Sequence, residues 1–315
     1  MSAEPLNLNE GSPGLRVGID IGGTGIRFVA LDAKNHVLAR LATTTPGAFT
    51  NGTAAEFLAD HIGGLAPGRT IEAIGIGASG PVDADGIIRN PDTLLSFTGE
   101  PIVASLAGVF GVPVAIDNDA VCAALAEQRV GAAKNSRSLL HVTLGTGIGA
   151  CMLIDGKPLR GGDGMHPETG HITVAVATTS ACYCGREACW EQNASRQTLQ
   201  RSAADLLGKG PTHRTAIAEL AARARRGEKQ ATDVFRDYGL AIADGLGTLL
   251  AAYRPENVVL GGSAAQHFDM YSHTVERSLQ RLGPWIHYAQ LSKTGLDDYG
   301  GAIGAAFLHV PAVYS

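Results

Sequence analysis

Long apolar runs are missing from this chain. No stretch of about 18 consecutive apolar residues occurs, so neither a membrane-spanning helix nor a membrane partner is expected. Met1 to Gly14 lack a basic region followed by an apolar one, so residues 1–15 are expected to be a flexible leader rather than a secretory signal. Positive charge is not in excess either. The net charge is −5, and a nucleic-acid partner would favour a basic surface. Charged residues are sparse at 17% against 45% hydrophobic, so a buried core is available and disorder is not expected. Cysteines are few and odd in number: Cys122, Cys151, Cys182, Cys184 and Cys189. Without a secretory signal this points to a reducing cytoplasm, where three clustered thiols mean metal more often than disulfide.

Glycine, by contrast, is abundant. The 41 glycines have no collagen-like period, so they read as tight turns and close backbone approaches. The 315 residues are enough for two domains. Apolar alternation predicts a strand in RVGIDIGG from Arg16, a second in GIRFVALDA and a third in HVLARLAT. A helix is expected near Ala54 to Leu65, a buried strand in IEAIGIGASG, and another over 113–117 followed by a helix. A second hairpin, SLLHVTLGTGIGACMLIDGKPL, repeats the first at an offset of 123 residues. Gly22 then falls on Gly145, Asp32 on Asp155 and Lys34 on Lys157. A duplicated hairpin implies two similar lobes facing across a cleft, and small ligands bind in such clefts. Beyond Gln192 the pattern is mostly helical, with a strand at ENVVLGG and a closely packed small-residue helix in GGAIGAAFLHV.

Four constellations carry chemistry. Asp20 and the turn Gly22, Gly23 and Thr24 present backbone N–H groups that can cradle phosphate, with Asp20 placed for Mg²⁺. A plain glycine hairpin is the competing explanation. Gly145, Thr146 and Gly147 repeat the arrangement, and the pair is more specific than either member. Gly261 and Gly262 offer a close approach to a flat adenine, or a structural turn. Asn118 and Asp119 end a strand and open a helix, where they serve as caps or face a ligand. Asp119 is the candidate base, and the helix N-terminus is expected to keep its pKa low. Last, His171, Cys182, Cys184 and Cys189 form a Cys₃His set suited to structural Zn²⁺, with a buried thiol cluster as the alternative. Glu168 and Glu191 flank the set and offer acceptors for sugar hydroxyls.

DIGGTGIR, GPVD at 80–83, NDA at 118–120, LGTGIG, ExGH at 168–171, CxCGxxxCxE at 182–191 and ENVVLGG stand in this order. The set resembles the ROK family (repressors, open reading frames and kinases) over nearly the whole chain. The resemblance implies an α/β, actin-like (ribonuclease H-like) ATPase fold with two lobes around a cleft. One lobe is expected over residues 16–117 with the C-terminal helix at about 300–315, the other over 118–299. It also implies ATP with Mg²⁺ and transfer to a hexose 6-hydroxyl, glucose first, then mannose, fructose and N-acetylated hexosamines. Asp119 becomes the catalytic base. Gly80, Thr93, Asn118, Asp119, Glu168, His171 and Glu191 become sugar contacts, and zinc sits on the Cys₃His set. Members are usually dimers or tetramers. Two departures stand out: Gly25 replaces the usual lysine, with Arg27 two places on, and Met165-His166-Pro167 replaces small residues before Glu168. A sugar-responsive repressor of the same family is a rival, but about 15 non-basic residues before the first strand are too few for a winged helix.

Overall fold

A computed structural model describes residues 14–49, 52–175, 181–210, 213, 215–284, 286 and 289–310. Most of the expected leader therefore lies outside the described residues. Its last member, Leu15, is instead buried and begins the first strand.

The chain builds two five-stranded sheets. Strands β1 (Leu15–Ile21), β2 (Gly25–Leu31) and β3 (Val37–Thr44) form an antiparallel meander, and β4 (Ile71–Ala78) and β5 (Val114–Asn118) add in parallel, in the order β3-β2-β1-β4-β5. The second sheet holds β6 (Ser138–Leu144), β7 (Ile148–Ile154), β8 (Lys157–Pro158), β9 (Asn257–Gly261) and β10 (Gln290–Lys293). Its order β8-β7-β6-β9-β10 is that of the first sheet. The repeat read from sequence is thus a repeat of topology. It slips by one residue at the turns: Ile21 faces Ile26 across four residues, whereas Leu144 faces Ile148 across three. The offset is 123 on the first strand of each hairpin and 122 just past the turn, where Ile26 corresponds to Ile148.

Helix α1 (Ala54–Leu65) starts where the sequence places it, because Thr53 and Glu56 form a reciprocal capping box. With α2 (Ile102–Phe110) it covers one face of the first sheet, burying Phe28, Leu58, Ile62, Phe97 and Leu106. The second sheet is covered by α4 (Trp190–Ala194), α5 (Arg196–Leu206), α6 (Ala216–Arg225), the long α7 (Lys229–Tyr253) and α8 (Phe268–Gln280). Trp190 anchors this core. It is fully buried, donates its indole N–H to the Ala241 carbonyl at 2.9 Å, and lies where a Cβ on Gly245 would collide with it.

Between the sheets run α3 (Asp119–Val130) and α9 (Gly300–Ala305). The small residues of α9 act as expected. A Cβ on Gly18 would approach the Ala302 carbonyl oxygen to 1.9 Å, and one on Gly304 the Cys122 oxygen to 1.6 Å. The start of α3 and the loop before α9 both line one cleft. No helix among the described residues is long and apolar enough to cross a membrane.

Candidate active site

A cleft of about 710 Å³ opens between the sheets, lined from the first by Asp20, Gly22, Arg27 and Ser79 and from the second by His141, Thr143, Gly261 and Gly262. Asp119, the first residue of α3, also lines it. The end of the cap sequence is divided between two side chains. Asn118 caps α3 by accepting the Ala120 N–H at 2.8 Å, and Asp119 shares that donor through Oδ1 while its Oδ2 accepts the Ser79 hydroxyl at 2.9 Å.

Asp20 and Asp119 keep an edge toward solvent, yet protein replaces most of their water. Burial pushes Asp20 up to about 7; the charge of Asp119 adds to the shift and Arg27, its partner across the β1–β2 ladder, opposes it. Burial also raises Asp119, against the Ser79 and Ala120 donors and the nearby His166. This corrects the expectation of a low pKa at the helix N-terminus. Loss of hydration at the cleft bottom outweighs the helix dipole and two hydrogen bonds.

The first glycine turn borders the cleft at Gly22, and Gly23 packs against Thr93. None of Gly22, Gly23, Gly25, Gly145 and Gly147 has a left-handed φ; a Cβ would be crowded at Gly22, Gly23, Gly25 and Gly147, whereas Gly145 has room for one. Thr24 and Thr146 sit exposed at the two turn tips. The second turn lies beside the cleft: a Cβ on Gly147 would meet the Glu191 carboxylate at 2.5 Å, and Gly145 accepts the Arg196 N–H at 2.9 Å. Gly262 does require its left-handed φ of 77°, because the chain passes the Leu144 backbone there.

The expected sugar contacts fall into two groups. Gly80, with φ of 81°, accepts the Asn118 amide at 3.1 Å, and Asn90 bridges the Ser79 carbonyl at 2.9 Å and the Thr93 hydroxyl at 2.6 Å. That bond uses one of the two Asn118 amide hydrogens. The other group surrounds the cysteine loop. Glu168 pairs with His166 at 3.3 Å, which holds its pKa below the usual carboxylate range. His171 Nδ1 faces Glu191 at 3.6 Å and the Cys182 sulfur at 3.5 Å, while its Nε2 meets the Tyr183 hydroxyl at 3.0 Å.

His171, Cys182, Cys184 and Cys189 bring one ligand atom each within 4.8 Å of one another. A tetrahedral zinc with bonds of about 2.0–2.3 Å sets its ligands roughly 3.3–3.8 Å apart. Cys184 and Cys189 stand at 3.6 Å and Cys182 and His171 at 3.5 Å, so the donor set fits that ion.

Ser79, Asn90, Arg160 and Tyr183 escaped the sequence reading, and His166 stood out only as a departure. Ser79 directly follows the IEAIGIGA strand, and that position was its one available signal. Arg160 acts through a partner 43 residues away, whereas Asn90, His166 and Tyr183 act through near neighbours, in turns whose geometry no periodicity announces.

Two sheets of one topology, joined by helices around a ligand-sized cleft, define an actin-like ATPase fold of the α/β class. The chain belongs to the ROK family, whose model matches residues 16–311. The glucokinase of Streptomyces coelicolor is 30% identical over 311 residues, covering 94% of this chain and 97% of that one. The N-acetyl-D-glucosamine kinase of Vibrio parahaemolyticus is 29% identical over 307 residues, 93% of this chain and 99% of that one. Among solved structures, a ROK family glucokinase from Streptomyces griseus in complex with glucose and AMPPNP is 31% identical. It has a TM-score of 0.77 over 94% of this chain and 99% of that chain.

Proposed function

We propose that this protein is an ATP-dependent hexose kinase acting on the sugar 6-hydroxyl, with glucose preferred. The observation that carries the reading is the Asp119 carboxylate at the start of α3, facing the cleft that Gly22, Gly261 and Gly262 also line. The turns at Gly22, Gly23 and Thr24 and at Gly145, Thr146 and Gly147 would hold the triphosphate, with adenine against Gly261 and Gly262. Asp20 would hold Mg²⁺, which when bound neutralises charge on the phosphate oxygens. The repulsion between Asp20 and Asp119 supports a cation there.

Glu168, Glu191, His171, Asn118, Gly80 and Thr93 would orient the sugar hydroxyls. The bond between the 6-oxygen and the terminal phosphorus forms as the bond to the ADP oxygen breaks. Asp119 takes the hydroxyl proton late in the step, and its raised pKa makes it a better base near neutral pH than an ordinary aspartate. Zinc on His171, Cys182, Cys184 and Cys189 would stiffen the sugar loop. In this reading residues 16–117 with the C-terminal helix form one lobe and 118–299 the other, and the enzyme works in the cytoplasm as a homodimer or homotetramer.

The test is an ADP-release assay with ATP over glucose, mannose, fructose and N-acetylglucosamine. The largest kcat/KM is expected with glucose. Another sugar in first place would move the preference, and no hexose-dependent ADP release would remove the kinase reading.

A further inference from the structure

One ion pair joins the two sheets outside the cleft lining. Asp117 lies near the end of β5 in the first sheet, and Arg160 follows β8 at the edge of the second. The guanidinium straddles the carboxylate: Nη1 donates to Oδ1 at 3.1 Å and Nη2 donates to Oδ2. Asp117 is only 8% exposed, and its Oδ1 also accepts the Asn118 N–H at 2.7 Å. The buried thiols of Cys122 and Cys151 lie within reach of its charge, and neither can balance it. A carboxylate so enclosed needs its counter-ion, and a planar fork fixes orientation as well as distance.

The two ends of the pair lead to different parts of the site. Asp117 directly precedes Asn118 and Asp119. Arg160 opens the segment that runs through the exposed residues 161–164 to His166 and Glu168. At its far end that segment is pinned by Gly170, where a Cβ would approach the Ile148 carbonyl oxygen to 2.2 Å. At its near end the Arg160 pair ties it to β5, the strand that leads directly into the base at the start of α3.

We propose that Arg160 is a positioning residue for phosphoryl transfer: through Asp117 it sets the spacing between Asp119 and the sugar-holding Glu168. The proposal rests on the hexose-kinase reading. A displacement of about 1 Å in such a constellation costs on the order of a hundredfold in rate.

The test compares wild type, Arg160→Met, Arg160→Lys, Asp117→Asn and the Arg160→Met/Asp117→Asn double variant in steady-state kinetics with glucose and ATP, together with thermal melts. Arg160→Met is expected to lower kcat/KM for glucose about a hundredfold while the KM for ATP moves less than about threefold. Arg160→Lys should recover roughly a tenth of the wild-type value, since one of two bonds returns. The double variant should lose no more than the worse single, because both act through one contact. Wild-type glucose kinetics in a folded Arg160→Met, or losses that multiply in the double variant, would overturn the proposal. If Arg160→Met does not fold, Arg160→Lys decides: unchanged glucose kinetics sinks the idea, and a loss confined to glucose sustains it. A wild type inactive on every hexose removes the kinase reading and the positioning role with it, whereas an active wild type matched by its variants removes only the latter.

Discussion

The two sheets share one strand order, yet their third strands have opposite fates. In the first, β3 runs eight residues with regular alternation of partly buried and exposed positions, completing a plain meander. In the second, β8 stops after two residues, and the chain departs into the segment that carries Arg160, His166, Glu168, His171 and the three clustered cysteines. Chemistry has collected where the repeat breaks. A full strand commits every backbone group to its neighbour, whereas a released segment can aim side chains across the cleft. It then needs another source of order, and the Cys₃His set has the geometry to supply one.

The sharpest way to break this comparison is to loosen only the departed segment. Structural zinc sites contribute roughly 10–16 kcal/mol of apparent free energy near neutral pH, the largest single effect expected here. Cys184→Ser should reduce zinc from one ion per chain to near none by elemental analysis. It should also make the segment protease-sensitive and raise the KM for hexose at least about tenfold, with a smaller change for ATP. A zinc-free wild type with full activity would show that the segment orders itself.

Next in size is Asp119, which sits on the helix between the two copies rather than in either. Asp119→Asn should reduce kcat by about 10²–10⁴-fold. Glucose should still bind by calorimetry, because the isosteric amide keeps the Ser79 contact. In the wild type kcat should climb with pH as the raised carboxyl ionises. Near-wild-type turnover in the variant would take the base role from this residue.

The smallest effect separates the copies at one matched position. Asp20 in β1 corresponds to Thr143 in β6 at the offset of 123, and both line the cleft. Asp20 titrates near 7 in the folded protein, above its unfolded value, so its stabilising contribution is complete below about pH 4 and is lost as pH rises through about 7. Without nucleotide or Mg²⁺, Asp20→Asn should therefore melt a few degrees above wild type at pH 8 and lose that advantage at pH 4. Thr143→Val should show no such dependence. A pH-independent offset for Asp20→Asn would mean that the group is not buried as the structure has it.

Much of the site was legible because its parts are local. The capping box at Thr53 and Glu56, the glycine turns, the strand-to-helix junction at Asn118 and the CxCGxxxC run each declare themselves within about ten residues. β10 did not, since Gln290–Lys293 is a short, partly exposed edge strand without alternation. Nor did the role of Ser79, whose bond to Asp119 spans forty residues. The acidity of Asp119 was misread for the same reason: the helix start is visible in sequence, but the surrounding protein that strips its water is not.

Local pattern and motif, then, determined the strands of both hairpins, the duplication, the Cys₃His cluster and the strand-to-helix junction that carries the candidate base. Only the tertiary structure decided that the second turn lies against Glu191 rather than along the cleft, that Asp20 and Asp119 share a poorly hydrated floor, and that Arg160 clasps Asp117 across the sheets. Backbone geometry and turn chemistry act between near neighbours in the chain. Solvation and charge pairing depend on which distant segments the fold brings into contact.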